Sequence, residues 1–193
     1  MVGIGPESLW FESGCNWYAL YTRHQHEKNV ARVLSCKGFE VFLPLYNATH
    51  RWSDRCKQLS LPLFPCYVFL YGGLDRRAQI LATPGVHSFV EFGGSPAVVR
   101  EDEVEAIRKA LENSACVVPH PFLKHGDWVR IRSGPLEGIK GILVRTKNRC
   151  RLVLSVEMLE KSVAVEVEAA FVERISQLPR TVAPRLVPAT ALR

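Results

Sequence analysis

The hydrophobic pattern divides this chain of 193 residues near position 120. Before that point, short apolar runs alternate with segments spaced for one-faced helices. Trp17-Tyr18-Ala19-Leu20-Tyr21 reads as a first strand. Thr22-Arg23-His24-Gln25 has the form of a capping box and predicts a helix with Val30, Val33 and Leu34 on its buried face, closed by Gly38. Phe39 to Tyr46 predicts a second strand ending near Pro44. Asn47 to Leu59, polar and basic with Arg51, Trp52, Arg55 and Lys57, fits a hairpin excursion. Leu61 to Leu70 is apolar on both faces and predicts a central, doubly covered strand entered through prolines. A short helix over Leu74 to Ala82 carries Arg76 and Arg77 and stops at Pro84-Gly85. Val86 to Phe92 is a fourth strand closed by Gly93-Gly94. A last helix opens on Glu101, Asp102 and Glu103, where negative charge suits the helix dipole, and turns Val104, Ile107 and Leu111 inward.

After residue 123 the pattern is all-β. Runs at Trp128–Arg132, Gly141–Val144, Arg151–Met158, Val163–Val167 and Phe171–Ile175 are separated by turns at Gly134-Pro135 and Lys147-Asn148. Five short strands in about 50 residues predict a small barrel, since an open sheet of that size leaves exposed edges. The fold class expected is therefore α+β, an α/β sandwich followed by a small all-β barrel. The expected boundaries are a loose arm over 1–14, the sandwich over 15–113, a proline-stiffened linker over 114–123, the barrel over 124–176 and a disordered tail over 177–193.

Composition narrows the function. The formal charge of +6 is a mild bias towards polyanions. From Lys124 to Arg151 there are eight Lys or Arg and two acids, and from Leu152 to Ile175 two basic residues and five acids. Six scattered cysteines contain no C-x-x-C pair and no zinc spacing, and His24 and His26 do not share a helical face, so no metal pair is expected there. No secretory signal or membrane-length apolar run is visible, which places the chain in the cytoplasm with reduced thiols. Ser/His/Asp arrangements and phosphate loops are missing, and neither Asp54 nor Glu27 has an evident carboxylate partner, so neither an enzyme nor a cofactor is expected. Phe64, held between Pro62 and Pro65, and Tyr67, whose hydroxyl needs a partner if buried, leave two readings of the central stretch: core strand or rigid docking pocket. Arg23, His24, Lys28 and Arg32 near a helix start likewise fit either a solvated face or a phosphate-facing site.

Trp17-Tyr18-Ala19-Leu20, Gly38-Phe39-Glu40 before Phe42-Leu43-Pro44, Pro62 to Phe69 and Pro84-Gly85-Val86 resemble the N-terminal domain of NusG. Gly126 to Ile131 with Gly134 to Gly141 resembles the KOW motif that follows it, so the resemblance runs from about Asn16 to Ile175. Phe89 to Val99 is also similar to specialised, operon-directed paralogues such as RfaH. One departure is Cys66, where the family usually has glycine.

The resemblance implies a monomeric elongation factor that grips the RNA polymerase clamp, lessens pausing and modulates termination or antitermination. It implies polymerase contacts at Phe64 and Tyr67, with Trp17 and Tyr18 beside them and Arg76 and Arg77 bridging the DNA channel. It assigns Arg23 and His24 to the non-template DNA strand. The loop carrying Met158, Leu159 and Lys161 is assigned to Rho or a small-subunit ribosomal protein, against the simpler reading of Met158 and Leu159 as core. The alternative function is a ribosome- or RNA-binding KOW protein using Arg130, Arg132 and Lys140.

Overall fold

The computed structural model describes residues 14–51, 56–113, 116–122, 126–146 and 149–175. The expected arm up to residue 13, the tail from 177, and Trp52 and Arg55 lie outside the described residues. In chain order the first elements are β1 (Asn16–Thr22), α1 (Glu27–Cys36), β2 (Glu40–Phe42), β3 (Leu45–Arg51), β4 (Cys56–Pro62), β5 (Tyr67–Gly72) and α2 (Arg77–Leu81). There follow β6 (Val86–Phe89), β7 (Glu91–Phe92), β8 (Ser95–Pro96), β9 (Val98–Val99) and α3 (Glu101–Asn113). The remainder is β10 (Val117–His120), β11 (Asp127–Ile131), β12 (Lys140–Thr146), β13 (Arg149–Val156), β14 (Lys161–Val167) and β15 (Val172–Arg174).

β1 is the hub of the first sheet. It pairs antiparallel with β5 from Asn16↔Gly72 to Tyr21↔Tyr67, and β2 adds outside β5. Along its other edge β1 holds β6 and then β9. Strand alternation sorts the side chains by face. Tyr18 and Leu20 of β1 and Val68 and Leu70 of β5 pack with Val30 and Leu34 of α1 and Ile80 of α2. Trp17, Ala19 and Phe69 point the other way, towards Val104, Ile107 and Ala110 of α3. Each fully buried side chain of this size stabilises the fold by about 1.5–3 kcal/mol.

Several boundaries differ from the sequence pattern. The capping box does not form: Thr22 stays in β1, where its N–H donates to the Cys66 carbonyl at 2.8 Å, and α1 starts only at Glu27, after Gln25 at φ 63°. The far end of α1 closes as expected. Gly38 takes φ 79°, its N–H donates to Ser35 O and that of Phe39 to Leu34 O, a Schellman cap that favours glycine. The apolar run Leu61 to Leu70 is broken rather than one strand, because β4 ends at Pro62 and β5 begins at Tyr67. The predicted fourth strand divides into β6 and β7, and β7 forms a small hairpin with β8. The β3–β4 hairpin is found where the polar excursion was expected.

The second sheet is six-stranded and antiparallel, in the order β10-β14-β13-β12-β11-β15. Among the described residues no ladder joins β10 to β15, and closure of the expected five-strand barrel is not seen. The sixth strand, β10, lies inside the segment read as a linker. Its Pro119 sits opposite Val163 on an edge strand, where a missing N–H is tolerated. Gly141 is required in β12: a Cβ there would lie 2.6 Å from the Val153 carbonyl of β13. Val129, Ile131, Leu152, Leu154, Val156, Val163 and Val165 of this sheet belong to the same apolar cluster as Trp17 and Phe69, and α3 packs directly on β13.

Candidate functional site

The break between β4 and β5 is a tight turn, Phe64-Pro65-Cys66-Tyr67. The Tyr67 N–H donates to the Phe64 carbonyl at 3.1 Å, proline occupies the second position and Cys66 takes φ 69° at the third. Those are the marks of a type II turn, whose third position favours glycine. The turn is anchored on all sides. Leu63 N–H donates to Pro44 O at 2.9 Å, and Cys66 N–H donates to the Glu27 carboxylate Oε1 at 2.8 Å. Phe64 meets Phe69 edge-on, with ring centroids 5.7 Å apart. Trp17 lies 5.3 Å from Tyr71 and 6.5 Å from Phe42, and the Arg108 guanidinium of α3 sits over both Trp17 and Phe42.

This aromatic face is covered. Phe64 is 1% exposed and Leu63 2% exposed, and their cluster continues into Val156 and Leu159. Leu159 stands in a single 3₁₀ turn, Glu157–Leu159, followed by Glu160 at φ 48° in the left-handed region. Lys161, one residue on, lies close enough to act electrostatically on the Cys66 thiol, which burial and the Glu27 charge push up. Burial also pushes the Glu103 carboxyl up to about 7, against the pull of the Arg100 guanidinium and the Glu157 backbone. Glu103 Oε2 is buried without a hydrogen-bond partner, which suits the neutral acid.

The residues singled out in the sequence do not all meet. Trp17, Phe64 and Tyr67 share one face of the first sheet. Tyr18 alternates to the other face, 2% exposed and edge-on to Phe89, so it does not join that aromatic face. Arg76 and Arg77 are occupied by the fold itself: Arg76 lies over the Phe39 ring and donates to Lys37 O, and Arg77 pairs with Glu91 at 2.7 Å. Arg23 and His24 are exposed on the β1–α1 loop. Met158 is half-buried, Leu159 buried and Lys161 exposed. The basic strands of the second sheet are partly neutralised by the acidic stretch: Arg130 faces Glu173, Arg151 faces Glu166, and Arg174 reaches Asp127. Sequence reading passed over Glu27 as a site residue. Its position ten residues after Trp17, at a helix start facing the glycine-like Cys66 turn, was the available signal.

Among the described residues no helix is long and apolar enough to cross a membrane. The family model "Transcription termination factor nusG" matches residues 15–108. The transcription termination/antitermination protein NusG of Halalkalibacterium halodurans is 28% identical over 175 residues, covering 83% of this chain and 98% of that protein. The protein of the same name from Thermus thermophilus is 25% identical, covering 79% and 94%. The solved structure described as "Domain interaction in Thermotoga maritima NusG" superposes with a TM-score of 0.53 at 22% identity, covering 83% of this chain and 97% of that one. Members of this family are transcription factors and not enzymes. Residues 15–108 carry the NusG family domain, and over 83% of its length the chain is similar to a curated NusG transcription termination/antitermination protein.

Proposed function

We propose that the chain is an elongation factor that binds the RNA polymerase clamp through the aromatic face of Phe64, Tyr67 and Trp17, lessens pausing and modulates termination or antitermination, and that the arrangement described here is its closed form. The observation that carries this reading is that Phe64 and Leu63 are buried in one apolar cluster with Val156 and Leu159 of the C-terminal half. A proline-stiffened aromatic turn presents apolar area at low entropic cost, which is what a protein-docking anchor requires. Here the occupant is the chain's own C-terminal sheet, which on this reading is the family's KOW barrel, spanning about 124–176. The same contact buries Leu159, so one opening step frees both the polymerase face and the loop assigned to Rho or a small-subunit ribosomal protein. Clamp binding then acts as a population shift, with polymerase and the C-terminal sheet competing for one surface. On this reading Arg23 and His24, which are exposed, contact the phosphates of the non-template strand, and binding is salt-dependent. The ion pairs across the second sheet count against a free basic RNA-binding surface.

The test is co-elution with the host's core RNA polymerase at moderate salt. The full chain is expected to bind weakly, and Leu159→Glu, which places a charge in the apolar contact, to bind at least about tenfold more tightly. Failure of the full chain, Leu159→Glu and the fragment 1–113 alike sinks the reading and favours the ribosome- or RNA-binding alternative.

A further inference from the structure

Folding brings together three metal-ligating side chains that are separate in the sequence. His24 lies on the β1–α1 loop, Glu27 in the first turn of α1, and Cys66 in the turn before β5. Their ligand atoms all lie within 4.8 Å of one another, and the Cys66 Sγ to His24 Nδ1 distance is 3.8 Å. Zinc bonds of about 2.3 Å to sulfur and about 2.0–2.1 Å to imidazole, meeting at a tetrahedral angle, hold those two atoms about 3.6 Å apart. The observed pair is thus within a few tenths of an ångström of ligating geometry.

The cluster is also built into the fold. Glu27 is 3% exposed, and its Oε1 accepts the Cys66 N–H at 2.8 Å, a contact that orients the carboxylate as outer hydrogen bonds orient metal ligands. Cys66 is carried at φ 69° in a turn stiffened by Pro65, and Gln25 at φ 63° turns the His24 segment back over the helix start. The backbone therefore sets the position of the thiol and of the loop bearing the imidazole.

We propose that His24, Glu27 and Cys66 form a site for a borderline divalent transition metal of the zinc class, with three protein ligands and a fourth position open to water. A thiolate, an imidazole and one carboxylate suit zinc and disfavour magnesium and calcium, which take mostly oxygen. The thiol releases its proton to solvent on coordination, and the thiolate and carboxylate together balance the charge of the dication. The ion ties the loop carrying Arg23 to the turn carrying Phe64, fixing the two loops relative to each other. The proposal does not depend on the polymerase reading.

The full-length chain, reduced with a phosphine, is titrated with Co²⁺ as the spectroscopic stand-in for Zn²⁺. The expected result is a thiolate-to-cobalt charge-transfer band with tetrahedral ligand-field bands, both bleached by Zn²⁺. Cys66→Gly suits the turn and should fold; it is expected to lose the charge-transfer band. His24→Ala is expected to weaken binding by at least about tenfold. Zn²⁺ should raise the melting temperature of the parent chain and leave that of Cys66→Gly unchanged. No charge-transfer band in the parent overturns the site, as does a band that survives in Cys66→Gly, which would come from the other cysteines, or one indifferent to His24→Ala.

Discussion

At the residue scale, Cys66 is the side chain under most constraint. It occupies the left-handed region at φ 69°, where an L side chain is strained by roughly 1–3 kcal/mol. Glycine removes that strain but gives the unfolded chain more freedom, and the two effects oppose each other. Cys66→Gly is therefore expected to leave the urea-derived stability of the chain within about 1 kcal/mol of the parent. Cys66→Val, β-branched, should cost about 1–3 kcal/mol more in the same experiment. Equal stability of the two variants would show that the turn relaxes away from this conformation. The thiol is meanwhile held among Glu27, His24 and Lys161, so Cys66 joins the turn, the helix start and the second sheet.

At the element scale, the β4–β5 turn couples the centre of the first sheet to its outer face. Phe64 and Tyr67 stand at its two ends, one buried against Phe69 and one half-buried against Tyr21. Replacing Phe64 and Tyr67 together by Ala in the more tightly binding Leu159→Glu parent is expected to abolish polymerase co-elution. Truncating a buried Phe alone costs about 3–5 kcal/mol, so circular dichroism must show the variant still folded. Folded protein that binds as well as the parent would remove the turn from the mechanism. Strand alternation explains why Tyr18 does not share the aromatic face of Trp17. A strand with a period of two cannot place Trp17 and Tyr18 on one face, and α1 and α2 already cover the face that Tyr18 takes.

At the scale of the whole molecule, the contact between the first sheet, α3 and the second sheet carries a buried carboxyl. Glu103 is pushed up to about 7 by burial, with Arg100 and the Glu157 backbone opposing and the Glu157 and Asp102 charges adding to the rise. A group whose carboxyl pKa is raised in the closed form binds its proton more tightly there than when solvated. Its contribution to closure is complete below its ordinary value of 4.5 and is lost as pH rises through about 7, by at most about 3 kcal/mol. Fluorophores on the two sheets are expected to separate as pH rises from about 5 to about 8, and Glu103→Gln should flatten that response and favour closure. An unchanged pH response in Glu103→Gln would assign it to another group.

Local signals in the sequence determined most of the elements. Gly38 closes α1 because a positive φ is cheap there, and the period of two in Trp17–Tyr21 and Tyr67–Leu70 sets which residues share a face. The motifs also pointed to the NusG family, because a tight turn and a close strand crossing demand particular residues at fixed spacing. Other features were decided only by tertiary structure. β10 is a strand because β14 offers it an edge, although Pro119 obscured its pattern. The capping box failed because the backbone of Thr22 was claimed by Cys66, far along the chain. Burial of Phe64 and Leu159 against one cluster, neutralisation of Arg130 and Arg151, and the meeting of His24 with Cys66 all depend on partners distant in sequence. A residue's period records which way it faces, but not what the folded chain will bring to meet it.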